Sequence, residues 1–171
     1  LSSQTGWDWE RVVLYNLLRK AWRVSEASLS NILRGDVRPD RWKIRLEEFQ
    51  KTEKIDRELE KAFIASLQQQ PDLRQQYEKL SNEIDPRRKN FDQSMRINRN
   101  SFISKLRRLL AKSSLTALEP DLIILDEFQR FKYLLDEDNE FALLAQELFN
   151  YQSTSGRQAK VLLLSATPYN M

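Results

Sequence analysis

Two four-residue apolar runs, Leu122-Ile123-Ile124-Leu125 and Val161-Leu162-Leu163-Leu164, constrain the carboxyl-terminal part of the chain more than any other feature. Each is continuous rather than alternating and is bounded by polar residues, the pattern of a strand buried on both faces. Between them Phe141, Leu144, Ala145 and Leu148 recur at helical spacing, and the turn-rich Ser153-Thr154-Ser155-Gly156 follows. Strand, helix, strand over roughly 45 residues predicts a βαβ unit, with parallel pairing and a right-handed crossover.

Upstream the period changes to that of helices. Leu14, Leu17, Leu18 and Ala21 form one apolar stripe, with Arg11, Arg19, Lys20 and Arg23 expected on the solvated side. A short helix from Ser25 to Arg34 turns Leu29, Ile32 and Leu33 inward and stops at Gly35. Pro39 opens a long amphipathic stretch marked by Trp42, Leu46, Phe49, Leu59 and Phe63, which Pro71 breaks. A further helix over about Asp72 to Glu83 carries Leu73, Tyr77 and Leu80. Pro86 to Met95 reads as a loop, and from Asn98 the helical stripe returns with Phe102, Ile103, Leu106, Leu109 and Leu110.

Charge divides the chain in three. Residues 1–85 carry 15 basic and 15 acidic side chains, 86–112 carry nine basic against the single Asp92, and 113–171 carry four basic against nine acidic. The middle segment has the density of an electrostatic footprint for phosphate backbones. Arg87, Arg88, Lys89, Arg96 and Arg99 are therefore the candidate nucleic-acid contacts, DNA or RNA. The expected organisation is a helical segment at 1–85, a basic loop and amphipathic helix at 86–112, and a βαβ part at 113–171.

The absence of cysteine and histidine excludes disulfides, thiolate or imidazole metal sites and Cys- or His-based nucleophilic catalysis. Chemistry is left to carboxylates, hydroxyls, amides and bases. In parallel sheets ligands sit beyond the carboxyl ends of the strands, and both apolar runs end there in polar groups: Asp126-Glu127-Phe128-Gln129 after the first, Ser165-Ala166-Thr167-Pro168 after the second. A carboxylate directly after a hydrophobic strand suits Mg²⁺, a hard cation bound by one or two carboxylates plus substrate phosphates. A second one beside it suits deprotonation of an attacking water. That chemistry assigns Asp126 to the metal and Glu127 to the water.

With both motifs in this order, the chain resembles the superfamily 2 helicases, and within them bacterial relatives of the Swi/Snf-type ATPases. Asp126-Glu127-Phe128-Gln129-Arg130-Phe131 is similar to their motif II, the DExx box, and Ser165-Ala166-Thr167-Pro168 to their motif III. The motif-bearing resemblance covers roughly residues 95–171. It implies an α/β fold, a partial RecA-like P-loop NTPase lobe with parallel strands preceded by a mostly helical segment. It also implies ATP and Mg²⁺ as cofactors in the full-length protein, with Asp126 holding the metal and Glu127 and Gln129 as the catalytic pair. Ser165 and Thr167 would sit at the nucleotide and relay its state toward the nucleic-acid path. Gln129 departs from the Asp or His of the DEAD and DEAH boxes while keeping a group able to hydrogen-bond motif III.

A phosphate-cradling P-loop needs glycines ahead of a Lys-Ser/Thr pair, and Gly6, Gly35 and Gly156, the three glycines of the chain, begin none. Together with a start at Leu1 and an end just past a strand, this leads us to expect the inner part of a first helicase lobe, its partner being the remainder of the helicase chain. Two other readings are a non-catalytic helical module binding nucleic acid or protein, and a metal-dependent hydrolase built on Asp126 and Glu127. The amino terminus lacks the basic and apolar regions of a secretory signal, and no apolar run approaches the ~20 residues of a membrane span, so a cytoplasmic protein without membrane contact is expected.

Overall fold

The computed structural model describes residues 8–84, 92–126, 149–153 and 156–164. Its contacts divide the chain into two compact units, Leu1–Leu110 and Ala111–Met171. The first is helical: α1 (Asp8–Trp22), α2 (Glu26–Leu33), α3 (Pro39–Thr52), α4 (Arg57–Gln68), α5 (Pro71–Glu83) and the greater part of α6 (Gln93–Leu118). The second holds the end of α6 and two strands, β1 (Leu122–Leu125) and β2 (Lys160–Leu163). The described residues are thus mostly helical, with one two-stranded parallel sheet.

In the helical unit α1 is the central element, packing on α2, α3 and α4, while α5 packs on α2 and α4. Val12, Leu14, Leu17 and Leu18 are fully buried, and Arg11, Tyr15 and Asn16 are buried with them. A helix enclosed on nearly all sides leaves little solvated face, so Arg11, expected in solvent, lies inside. Around α1 the core is completed by Leu29, Ile32 and Leu33, by Trp42, Phe49, Phe63 and Leu67, by Leu73, Tyr77, Leu80 and Ile84, and by Phe102, Ile103, Leu106, Leu109 and Leu110. The stripes read from α2, α5 and α6 are all in it.

Local chemistry explains the element ends. Ser25 caps α2 by accepting from the Ser28 amide, and Gly35, with φ of 60°, provides the left-handed residue that stops it. The stretch opened by Pro39 is two helices, not one. Trp42, Leu46 and Phe49 keep one phase, but Phe49 to Leu59 is ten positions, which places Leu59 about 80° off the earlier stripe at ~100° per residue. The chain leaves α3 at Glu53, and Asp56 restarts it as the N-cap of α4, accepting from the amides of Glu58 (2.8 Å) and Leu59 (3.1 Å). The last helix also begins earlier than its apolar stripe: α6 starts at Gln93, inside the segment expected to be loop.

Candidate functional site

β1 and β2 are direct parallel neighbours in the register Leu122↔Lys160, Ile123↔Val161, Ile124↔Leu162 and Leu125↔Leu163. The ladder is tied beyond both ends. The Lys160 amide donates to the Asp121 carbonyl (3.0 Å), and the Leu164 amide to the Leu125 carbonyl (2.8 Å). The two carboxyl ends therefore finish level, with no strand between them. Asp126, the residue after β1, is exposed at that edge. A rigid ladder fixes the backbone of such a residue while its carboxylate stays accessible.

One expectation about these strands is corrected. The continuous apolar runs imply burial on two faces, yet Leu122, Ile124, Leu162 and Leu163 are 44–55% exposed, and Leu164 is 42% exposed. Ile123, Leu125 and Val161 are half-buried. The physical reason is the width of the sheet. Continuous apolar runs are what a strand carries when both faces and both edges are covered, and among the described residues this sheet has two strands.

Asp126 supplies a hard, anionic oxygen donor, which fits a Mg²⁺ ion that takes most of its remaining ligands from water and phosphate. Among the described residues no cluster of three or more acidic side chains forms a self-sufficient metal cage. Glu127, Gln129, Ser165 and Thr167 lie outside the described residues, as do Arg87, Arg88 and Lys89.

The two described members of the basic set part company. Arg96 is exposed on the first turns of α6. Arg99 is 1% exposed: its guanidinium donates to the Gly35 carbonyl (3.1 Å), to the Asp36 carboxylate (2.8 Å) and to the Asn100 side chain. A side chain so enclosed is withdrawn from contact with an external phosphate, and Arg99 is corrected from ligand contact to internal strut. The reason is readable on α6 itself, where Arg99 stands four residues before Ile103 and seven before Leu106, in phase with the apolar stripe.

Sequence reasoning also missed Arg11, the second strut. It donates to the carbonyls of Leu33 (3.1 Å) and Arg34 (2.6 Å), pairs with Asp8, and lies 5.9 Å over the Trp42 ring. Together Arg11 and Arg99 satisfy the carbonyls at the end of α2 and neutralise the negative end of its dipole. Arg11 falls three and seven positions before Leu14 and Leu18, the same in-phase signal. No described helix is long and apolar enough to cross a membrane. Comparison with family models, with curated proteins and with solved structures finds no match to this chain.

Proposed function

We propose that this chain is the inner part of the first lobe of an ATP-dependent helicase or nucleic-acid translocase, with the helical unit as an insertion ahead of the hydrolysis edge. What supports the reading is the level, direct pairing of β1 with β2: the DExx and Ser-Ala-Thr-Pro segments are continuous with neighbouring strand ends, as a coupled pair of motifs requires. When bound, Mg²⁺ would neutralise charge on the terminal phosphates of ATP. Asp126 would hold it through its carboxylate, on a backbone that the preceding ladder positions. Glu127 would take the proton from the attacking water, and Gln129 would hydrogen-bond toward Ser165 and Thr167, so that the second strand end responds to the nucleotide.

The absence of a P-loop from these 171 residues gives the first test. The 171-residue chain by itself is expected to show no steady-state ATP turnover, since carboxylates repel a polyphosphate without the amides of a phosphate cradle. In the intact polypeptide, Asp126→Ala is expected to abolish the difference between nucleotide binding with Mg²⁺ and with chelator, and to remove turnover with it. An unchanged Mg²⁺ dependence of binding in that variant overturns the assignment. It would leave the non-catalytic helical module as the better reading, which draws on the self-contained core of the first unit.

A further inference from the structure

Cationic charge in the helical unit gathers where α2 ends. Beneath the surface lie Arg11 and Arg99, each 1% exposed and bonded to the carbonyls of residues 33–35. Arg34, half-buried above them, donates to the Val37 carbonyl (2.9 Å) and so is fixed against the α2 to α3 turn. The Nε groups of Arg11 and Arg34 are buried without an acceptor among the described residues. Three further arginines stand in solvent around this point. Arg38 closes the turn, Arg41 follows it by one turn of α3, and Arg96 precedes Arg99 by three residues on α6. Against these six guanidinium groups stand Asp8, bound by Arg11, Asp36, bound by Arg99, and Asp40, forked by Arg38 at 2.9 and 3.1 Å.

Burial and the close approach of these charges act on the individual groups. Burial, followed by repulsion from Arg99, lowers the Arg34 guanidinium below its usual range. The Asp36 carboxyl is held below the ordinary carboxylate range by its bond to Arg99, with Arg96 and Arg11 adding to the effect. One exposed carboxylate thus serves several arginines at once. Arg41 and Arg96 have no ion-pair partner among the described residues, and the Arg38–Asp40 pair, 78% and 59% exposed, is of the exchangeable kind.

We propose that the α2 to α3 turn and the first turns of α6 form a docking surface for a nucleic-acid phosphate backbone, with Arg38, Arg41 and Arg96 contacting phosphates and Arg34 lining the surface between them. Guanidinium forks match phosphate oxygens bidentately, and a surplus of them with few carboxylates favours a polyanion. A protein partner is disfavoured by composition. The large apolar side chains exposed on the described part of this unit are Ile44 and Ile97, with no aromatic anchor of the type that carries protein interfaces. The choice of nucleic acid as the polyanion rests on the proposed function, while the surface itself is distinct from the Asp126 edge and is read by binding without ATP.

The test compares two triple variants of the 171-residue chain with equal loss of charge. One is Arg38→Gln, Arg41→Gln and Arg96→Gln; the other is Lys51→Gln, Lys54→Gln and Arg57→Gln, exposed residues at the end of α3, in the link that follows it and at the start of α4, α3 itself being about 20 Å long. Binding of a fluorescent duplex is followed by anisotropy between about 50 and 200 mM salt. The first triple is expected to reduce the slope of log affinity against log salt by roughly 2 to 3, at ~0.9 per phosphate lost, and the second to leave it unchanged. Restoring the charge with Lys at the three arginine positions should recover most of the slope, and circular dichroism should report equal helix content throughout. Equal losses in the two triples would reduce the effect to net charge and overturn the proposal. So would competition by polyglutamate as effective as that by unlabelled duplex, which would make the surface an acidic-protein site. Either failure leaves the Mg²⁺ test of Asp126 standing.

Discussion

Glu127→Gln in the intact ATPase is expected to bind Mg·ATP about as well as the unaltered protein while turnover falls about 10²- to 10⁴-fold, the range for loss of a positioned general base. Glutamine keeps the length of glutamate and can still place a water by hydrogen bonding. It cannot accept the proton that the water must lose as it attacks. Asp126 is untouched in this variant, so the charge that holds the metal remains. The contrast with Asp126→Ala carries the diagnosis: one substitution separates binding from turnover, the other removes both. Equilibrium binding of a fluorescent nucleotide and single-turnover hydrolysis measure the two quantities independently. Near-normal hydrolysis by Glu127→Gln would show that another group, or none, takes the proton, and the motif II assignment would fall with it.

The effect on stability should be small for Asp126→Ala. Asp126 is exposed beyond the last residue of β1, and it contributes little to the packing of the half-buried Ile123, Leu125 and Val161. Substitutions at such positions generally change stability by no more than about 0.5 kcal/mol. Melting curves that match the unaltered protein would confirm that a kinetic loss belongs to the chemistry.

How far the chain could be read from its residues depended on whether the deciding partner was local. The strands and their parallel direction were legible because a four-residue apolar run has one good use, and a crossover as long as that from Leu125 to Lys160 permits parallel pairing. The stop of α2 was legible in Gly35 and its start in Ser25. The break between α3 and α4 was not, because it involves no proline or glycine. Its signals are a slip in the phase of the apolar stripe and an aspartate at position 56 that looks like any surface charge until its side chain turns onto the amides of Glu58 and Leu59. The burial of the strands was overestimated for a different reason. Apolar side chains state what a strand requires, whereas what covers Leu122 and Ile124 is decided by elements remote from them. At the candidate site, the order Asp-Glu after one strand and Ser-Ala-Thr-Pro after the next was plain in the sequence. That the two strands are immediate neighbours needed the register.

Arg99 is the residue whose role the fold changes most, and its substitution should have the larger effect on stability. Counted by charge it belongs with Arg96; placed in the fold, the two are opposites. Arg99→Ala removes the donor to the Gly35 carbonyl, which sits in a buried turn residue, and opens a void beside Ile103 in the core. Removing one partner of a buried charged hydrogen bond costs about 3–5 kcal/mol, and the exposure of Asp36, which can regain water, brings the expected loss to about 2–4 kcal/mol. Arg96→Ala, at an exposed position, is expected to stay within about 0.5 kcal/mol of the unaltered chain. Urea unfolding followed by circular dichroism resolves the two. A pH series adds a signature that packing alone would not give. Because Arg99 holds the Asp36 carboxyl below its ordinary value of 3.8, this part of the stability is present above that value and is lost as pH falls through the depressed one. The gap between the unaltered chain and Arg99→Ala should therefore narrow on acidification below about pH 4, and Asp36→Asn should remove that narrowing. Arg99→Lys should fall between, since an ammonium keeps the charge but cannot fork between a carbonyl and a carboxylate. Equal destabilisation by Arg96→Ala and Arg99→Ala would mean that the end of α2 is not held from beneath, and the surface built on that support would lose its foundation.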